Sequence, residues 1–587
     1  MSSLKHDCGV ALIRLRKPLE YYASKCYALD KLYLLMQKQH NRGQEGAGVA
    51  CVSLAATAGE EYLFRERKDG KNAINKLFSS VREQISNCGD GLVSATKVVP
   101  FIGECYMGHL RYSTTGCSGL SHVHPHLCRS SYRRNTLALC GNFNLTNVDK
   151  IFAHLKSLGQ HPRRSSDATI LLEQLCCSLD RHEGDTRLVL MDCMHLWDGG
   201  FVLCGMTGAG EMFAVRDPWG IRTAFWYADD DIAVVASERS AIQTVMNVKI
   251  NNIMEINPGE ALFISASGGV VCQTINRSDK ITPCSFERIY FSRGSDFDIY
   301  QERKELGRAL VPQILAAIDH DLENSVFSFI PNTAEVAYMG MIEGLNDYLD
   351  RKKCKLIEKS ESKDIKSIIA QRVRTEKVAV KDVKLRTFIS ESGERNELAS
   401  HVYDITYGSI RAHTDNLVVM DDSIVRGTTL RQSIITILAR LQPRKLIIVS
   451  SAPQIRYPDF YGIDMSDIGD LIAFRAALEL TDDVSIRNVY RKCFEQQSTP
   501  EEFMLNYVSE LYEPFSDTEI AQKIAELVTP STVECPVEII FQQREALSRI
   551  CSKNSGDWYF SGAYPTKGGM KRLNESYLNY RFDKSDK

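Results

Sequence analysis

Two adjacent carboxylates, Asp421 and Asp422, stand where an apolar run, Leu417 to Met420, turns abruptly polar. Ser423, Arg426, Gly427, Thr428 and Thr429 follow, and then Leu430, Ile434, Ile437, Leu438 and Leu441 recur at helical spacing up to Pro443. A run of four apolar residues reads as a strand buried on both faces, and the later spacing as a helix. Where a strand passes through a loop into a helix, backbone N–H groups and the positive end of the helix dipole face out of the carboxyl edge of the sheet and hold phosphate. Paired carboxylates suit a hydrated Mg²⁺ or the hydroxyls of a sugar, while Gly427 with its two threonines makes a small, donor-rich cradle for a monophosphate. The chemistry is that of a phosphorylated pentose. An acidic turn capping a helix is the plain alternative, and the whole pattern weighs against it.

A second set of residues lies at the other end of the chain. Cys8 directly precedes Gly9 and a strand-like run, VALIRL. Alone it reads as a buried cysteine. Leu29, Leu32, Leu35 and Met36 mark a helix that leads into HNRGQEGAG (His40 to Gly48), and then come GHLRYSTTG (Gly108 to Gly116), GNFNLTN (Gly141 to Asn147) and SSDATILLEQL from Ser165. Arg111 offers a planar fork for a carboxylate. His122, His124 and His126 alternate beside Cys128 and could mimic a metal site, but read as ordinary loop histidines.

With these motifs stated, DDSIVRGTT resembles the phosphoribosyl-pyrophosphate (PRPP) loop of phosphoribosyltransferases, and in its full length that of the glutamine-dependent amidophosphoribosyltransferases of purine synthesis. The N-terminal motifs, together with RDPWGIR (Arg216 to Arg222), ASERSAI (Ala236 to Ile242) and NPGEAL (Asn257 to Leu262), resemble the class II glutamine amidotransferase domain. The resemblance implies an α/β chain of two domains: a four-layer αββα N-terminal-nucleophile glutaminase at 8–275, and an α/β phosphoribosyltransferase with a mostly parallel sheet at 284–587. It also implies that Cys8 is the nucleophile, freed by removal of Met1 to Asp7 so that its own α-amino group acts as base. Arg111 would hold the glutamine α-carboxylate and Asp167 the α-ammonium, with Asn142 in the oxyanion hole. PRPP would be bound by Asp421, Asp422, Ser423, Arg426, Gly427, Thr428 and Thr429, and by Lys381, Lys384 and Arg386 in a loop, VKDVKLRTFI, that closes over it. Thr333, Asp421 and Asp422 would bind Mg²⁺. The expected reaction is transfer of glutamine nitrogen to PRPP, giving 5-phosphoribosylamine, with purine nucleotides as inhibitors and a homo-oligomeric enzyme.

Several positions depart from the family pattern. Phe143 follows the oxyanion Asn where Gly is usual, Asn332 and Ala334 flank Thr333 in place of Asp and Gly, and Leu385 replaces a loop Gly. A paralogue that binds PRPP or nucleotides only for regulation would explain such changes, but it would not need Cys8. Another amidotransferase, acting on a different acceptor, would carry a nucleotide P-loop or a sugar-isomerase domain, and neither pattern is visible.

The totals agree with a small-molecule enzyme. Of 587 residues, 44% are hydrophobic and 25% charged, and 71 Lys and Arg against 74 Asp and Glu give a net charge of -3. That balance argues against nucleic-acid or membrane-surface partners. No apolar run reaches membrane-spanning length, and the start has too short an apolar core for a secretory signal, so a cytoplasmic place is expected. Residues 345–375 read as a charged, solvated helical insertion, and 466–545 as added helices such as EEFMLNYVSELY.

Many members of this family carry a structural iron–sulfur cluster on four cysteines. Here only Cys284 stands at such a position, and Asp459, Gly556 and Tyr559 occupy the other three. Cluster irons need thiolate or comparable ligands. The purified protein is therefore expected to be colourless, and iron with acid-labile sulfide in stoichiometric amounts after anaerobic purification would contradict this.

Overall fold

A computed structural model describes residues 8–88, 98–112, 119–162, 166–331, 333–358, 365–381, 403–428 and 430–585. Its N-terminal half holds two antiparallel sheets. The first has the order β11-β9-β10-β1-β4-β2-β3, with β1 (Gly9–Leu15), β2 (Gly46–Val52), β3 (Leu63–Asp69), β4 (Cys105–Arg111), β9 (Phe225–Ala228), β10 (Ile232–Ala236) and β11 (Met254–Glu255). The second, β13-β12-β8-β7-β6-β5, contains β5 (His126–Cys128), β6 (Leu137–Leu145), β7 (Gly199–Thr207), β8 (Met212–Arg216), β12 (Glu260–Ile264) and β13 (Val270–Thr274).

The period of two along each strand divides the core into layers. On β1, Ala11, Ile13 and Leu15 pack outward with Leu29, Leu32, Leu35 and Met36 of the helix Tyr27–Lys38. Val10 and Leu12 face inward, against Cys105 and Met107 of β4 and Ala138 and Cys140 of β6. The outer face of β6, with Leu137 and Leu139, meets Leu171, Leu175 and Leu179 of the helix Asp167–Arg181. Helix, sheet, sheet and helix follow in that order. All seven residues of β1 are buried, which explains its unbroken apolar run.

The C-terminal half is built on a parallel sheet, β15-β14-β18-β19-β20, formed by β14 (Ser325–Phe329), β15 (Arg374–Thr375), β18 (Asn416–Asp421), β19 (Lys445–Ser450) and β20 (Val537–Phe541). A two-stranded antiparallel pair, β16 (Ala379–Lys381) and β17 (Tyr403–Ile405), lies apart from it. Leu417 and Val419 of β18 enter one core cluster, Val418 and Met420 another, as a strand covered on both faces requires. The helices Phe297–Ala309 and Glu335–Ile357 touch backbone to backbone, since a Cβ on Gly307 would lie 1.7 Å from Ala337 O, and one on Gly340 1.9 Å from Lys304 O. Among the described residues no helix is long and apolar enough to cross a membrane.

Two expectations for 466–545 need correction. The stretch is not only helical, because it supplies β20, the edge strand of the parallel sheet. Nor is EEFMLNYVSELY a helix: it forms short 3₁₀ turns, Glu501–Phe503 and Tyr507–Leu511. The Gln496 side chain pins Leu505 between them, accepting from its N–H at 3.1 Å and donating to its carbonyl at 3.1 Å, so the backbone cannot continue as a helix there.

The four positions at which a cluster would be ligated do converge. Cys284 bridges Gly556, the Tyr559 hydroxyl lies 3.4 Å from Cys284 Sγ, and it accepts from Phe286 N–H at 2.7 Å while donating to Gly556 O at 3.1 Å. Asp459 accepts from Trp558 Nε1 at 2.8 Å and from the N–H groups of Tyr461 and Ile463. A thiol, a carboxylate and a phenol already bonded within the protein do not fit an iron–sulfur cluster.

The halves are joined by one buried ionic knot. Arg42, 1% exposed, donates Nε–H to Glu238 at 2.9 Å and Nη2–H to Glu287 at 2.7 Å, and Ser292 Oγ donates to Glu287 at 2.7 Å. Burial alone would raise the Glu287 carboxyl, but Arg42 outweighs it and holds it down at about 2. Replacing Arg42 by Met would leave two buried carboxylates without their counter-ion. We expect a loss of about 3–5 kcal/mol in denaturant unfolding. Because the folded Glu287 titrates below its ordinary 4.5, its contribution is complete above that value and is lost as pH falls toward about 2. Acid unfolding of Glu287→Gln should accordingly be less steep through that window.

Candidate active sites

Cys8 is half-buried at the mouth of the inter-sheet layer, immediately before β1. The register Gly9↔Leu110 places it across from Arg111, the last residue of β4, and its thiol lies 3.9 Å from Tyr112 O. Arg111 is 9% exposed, and its backbone is packed against Gly43, next to the Arg42 knot, where a Cβ would sit 2.8 Å from the carbonyl carbon of Arg111. On β6, Asn142 shares the inward face of Ala138 and Cys140, and the charge of Cys8 is one of the influences that raise the buried Cys140 thiol, after burial and Cys204. Asn142 is 4% exposed, and its Nδ2 amide is buried without a hydrogen-bond partner. A buried donor left unmatched is costly, which makes it a sign of an absent acceptor.

Asp167 opens the helix Asp167–Arg181, whose N-cap, Ser166, accepts from Thr169 N–H at 3.3 Å. Burial raises its carboxyl, with Arg572 of the last helix opposing. The structure thus sets Cys8 and Arg111 on the inner side of the first sheet and Asn142 on the inner face of the second, with Asp167 at a helix start on the outer layer of that second sheet. Residues 113–118, which complete the GHLRYSTTG motif, lie outside the described residues.

The histidines differ from the expectation of an ordinary loop. His126 is in β5 and 9% exposed and meets His124 edge to face at 4.8 Å between ring centroids, while His124 stacks on Phe143 at 5.8 Å and, nearest of all, on His109 of β4 at 4.2 Å. Among the described residues, no group of three or more His, Cys, Asp or Glu could hold a metal. Sequence spacing missed His109 because it belongs to another sheet.

At the carboxyl edge of the parallel sheet, Asp421 closes β18 opposite Ser450. Asp422 N–H donates to Asp421 Oδ1 at 2.9 Å, Ser423 Oγ donates to Asp422 Oδ2 at 2.9 Å, and Ser451 N–H donates to Asp421 O at 3.0 Å. Burial and then Asp422 raise Asp421 well above the usual carboxylate range, while burial raises Asp422 to about 6 against the pull of Ser423 and Arg303. Two adjacent acids that resist ionising together are prepared for a cation. Arg303, 5% exposed, is a neighbour that the sequence did not suggest, and it donates to Arg288 O at 2.8 Å and Ser292 O at 2.7 Å.

Gly427 has φ +70 and packs so closely that a Cβ would lie 2.9 Å from Val528 and 3.2 Å from Ile472. Thr428 is exposed and leads into a π-helical turn, Leu430–Ile434, a geometry frequent at functional sites. Arg426 is braced within the loop: its Nε–H donates to Asp470 at 2.9 Å and its Nη2–H to Asp464 O at 3.1 Å. Thr333 follows β14 at the same sheet edge as Asp421, and Ala334 is fully buried at the start of the helix Glu335–Ile357. Asn332, Lys384, Leu385, Arg386 and Thr429 lie outside the described residues, as does the side chain of Lys381.

Comparison with known proteins bears on both halves of the chain. Residues 128–244 match the family model described as a glutamine amidotransferase domain. The amidophosphoribosyltransferase of Bacillus subtilis (strain 168) is 30% identical over 458 residues, 76% of this chain and 81% of that one. That of Escherichia coli (strain K12) is 29% identical over 460 residues, 76% and 80% of the two chains. A solved structure described as glutamine phosphoribosylpyrophosphate (PRPP) amidotransferase from B. subtilis complexed with ADP and GMP matches with a TM-score of 0.63 and 26% identity, covering 95% of this chain and 97% of the other. Another, described as the allosteric regulatory enzyme of purine biosynthesis, gives a TM-score of 0.64 at 25% identity, covering 95% and 96%. At that identity over that length, the chain belongs to the amidophosphoribosyltransferase family.

Proposed function

We propose that the protein transfers the amide nitrogen of glutamine to PRPP, releasing glutamate and pyrophosphate and forming 5-phosphoribosylamine for purine synthesis. The observation that carries the glutaminase half is the orphaned Nδ2 amide of Asn142, in the inter-sheet layer that Cys8 and Arg111 border from the other sheet. Arg111 receives the α-carboxylate of glutamine and Asp167 its α-ammonium. The Cys8 thiolate attacks the carboxamide carbon, with its own α-amino group, freed by removal of Met1 to Asp7, taking the thiol proton. Asn142 Nδ2 donates to the oxygen as it gains charge. The C–N bond breaks, ammonia leaves, and water hydrolyses the remaining thioester to glutamate.

In the second half, the acid pair and the loop from Ser423 to Thr429 hold the ribose and phosphates of PRPP, with Thr333 at the same sheet edge. Mg²⁺ fits two carboxylates completed by substrate phosphates, and when bound it would neutralise the departing pyrophosphate. Lys381, Lys384 and Arg386 close over that group. Ammonia travels inside the protein, since in water it would protonate at neutral pH and cease to be a nucleophile. We read the enzyme as cytoplasmic and homo-oligomeric, with purine nucleotides as its regulators.

The two half-reactions should separate by mutation. Cys8→Ala is expected to lower glutamine-dependent pyrophosphate release by several orders of magnitude, while high ammonia at alkaline pH restores it. Asp421→Asn with Asp422→Asn should abolish release with either nitrogen donor. Loss of ammonia-dependent activity in folded Cys8→Ala would contradict the scheme. A pH series gives an independent check: since the acid pair is raised, with Asp422 at about 6, protons compete with the cation below that value. The Mg²⁺ concentration for half-maximal activity should therefore rise as pH falls through 6, and a flat dependence would refute the assignment.

A further inference from the structure

β6 carries the oxyanion residue, and its outer edge is only partly paired. β5 covers Leu137 to Leu139, with His126 opposite Leu139, and stops there. The uninterrupted ladder with β7 turns the N–H and C=O groups of Leu139, Gly141 and Phe143 away from β7. Leu139 meets β5. Gly141 meets two imidazoles: its N–H donates to His124 Nδ1 at 3.2 Å, and its carbonyl lies 3.1 Å from His109 Nε2. An N–H can only donate and a carbonyl only accept, so His124 is unprotonated at Nδ1 and His109 protonated at Nε2. Together the rings do for Gly141 what an opposing residue of β5 would have done, one as acceptor and the other as donor.

This substitution matters for what comes next along the strand. A continued β5 would have run past Phe143 and covered its outward N–H. The chain leaves β6 before His126, where His124 and Pro125 pack against Gly48 of β2, and the imidazoles take its place at Gly141, so the Phe143 N–H and the Asn142 amide remain as adjacent donors. Phe143 adds its own contact by stacking on His124 with an interplanar angle of 28°. Groups packed around His124 from the other elements are His109 and Arg111 on β4, His126 on β5 and Arg67 on β3. All are imidazoles or cations, so with burial they keep the ring neutral and its Nδ1 lone pair available.

We propose that His124 is a positioning residue of the glutaminase, its Nδ1 lone pair holding the Gly141 N–H so that the Asn142 amide and the Phe143 N–H stay aimed at the developing oxyanion. The proposal rests on the reading of Cys8 and Asn142 given above and names a residue outside that machinery. His124 does not touch glutamine; it acts through the backbone of Gly141.

Two replacements separate acceptor from bulk. Asn places Oδ1 at the same bond distance from Cβ as His Nδ1, whereas Phe keeps the ring and the stack but has no acceptor. His124→Phe should lower kcat for glutamine by about tenfold or more with little change in KM, because an oxyanion donor acts in the transition state. His124→Asn should recover most of that loss. Ammonia-dependent pyrophosphate release should be unchanged in both, and so should the rate at which iodoacetamide alkylates Cys8, a displacement that develops no oxyanion. The proposal is overturned if His124→Phe keeps glutamine kcat within about twofold of the parent, if His124→Asn is as impaired as His124→Phe, or if alkylation and ammonia activity fall alongside. Asn142→Ala is the control for the underlying reading: if it leaves glutamine kcat intact, the oxyanion assignment itself is wrong, and His124 has nothing to position.

Discussion

Arg42 forms the bond on which the arrangement of both sites depends. One guanidinium, buried where the two halves meet, satisfies Glu238 from the glutaminase side and Glu287 from the transferase side. Asn41 reinforces it by donating to Glu238 at 2.7 Å and to Phe291 O at 3.0 Å. Such an ion pair adds little stability over an apolar contact of the same shape, but it tolerates no partial separation, because each unpaired charge would remain in a water-free setting. The constraint is therefore one of geometry. Gly43 transmits it toward Arg111, while Ser292 and Arg303 carry it toward Asp422, which Arg303 helps to ionise. A chain of contacts thus runs between Arg111 and the acid pair.

Further contacts brace the same boundary. Asn144, two residues beyond Asn142, donates to Phe460 O at 2.6 Å, and Arg222 donates to Tyr461 O. The last helix reaches back, with Gly568 N–H donating to Asp198 at 3.2 Å and Arg572 Nε–H to Thr146 O at 3.3 Å. Strand β6 is thus held at one end by the transferase half and along its edge by two histidines. An enzyme that makes ammonia at one site and consumes it at another needs the two sites held in register, and these contacts serve that need.

What the sequence revealed follows the range of the forces involved. β1, the helix Tyr27–Lys38 and the strand–loop–helix around Asp421 were legible because burial imprints a local period on the residues, and acid pairs and Gly-Thr-Thr are contiguous signals. The role of Arg42 was not, since its partners lie 196 and 245 positions away in the chain. His124 was visible as one of three alternating histidines, but its partner His109 comes from another sheet, and a loop reading was the natural one. The bracing of Arg426 was hidden for a similar reason: its partners Asp464 and Asp470 lie 38 and 44 positions further along the chain. EEFMLNYVSELY has helical composition, and the side chain of Gln496, nine residues before Leu505, interrupts it.

The central claim is that one molecule moves nitrogen from a thiol site to a sugar site without releasing it to solvent. Glutamine labelled with ¹⁵N in its amide, supplied together with excess unlabelled ammonium at neutral pH, tests this most directly, with 5-phosphoribosylamine trapped as it forms. The proposed scheme predicts that the product keeps almost all of the label. Product labelled only in proportion to the label in the bulk ammonium would contradict it, since the nitrogen would then have passed through water.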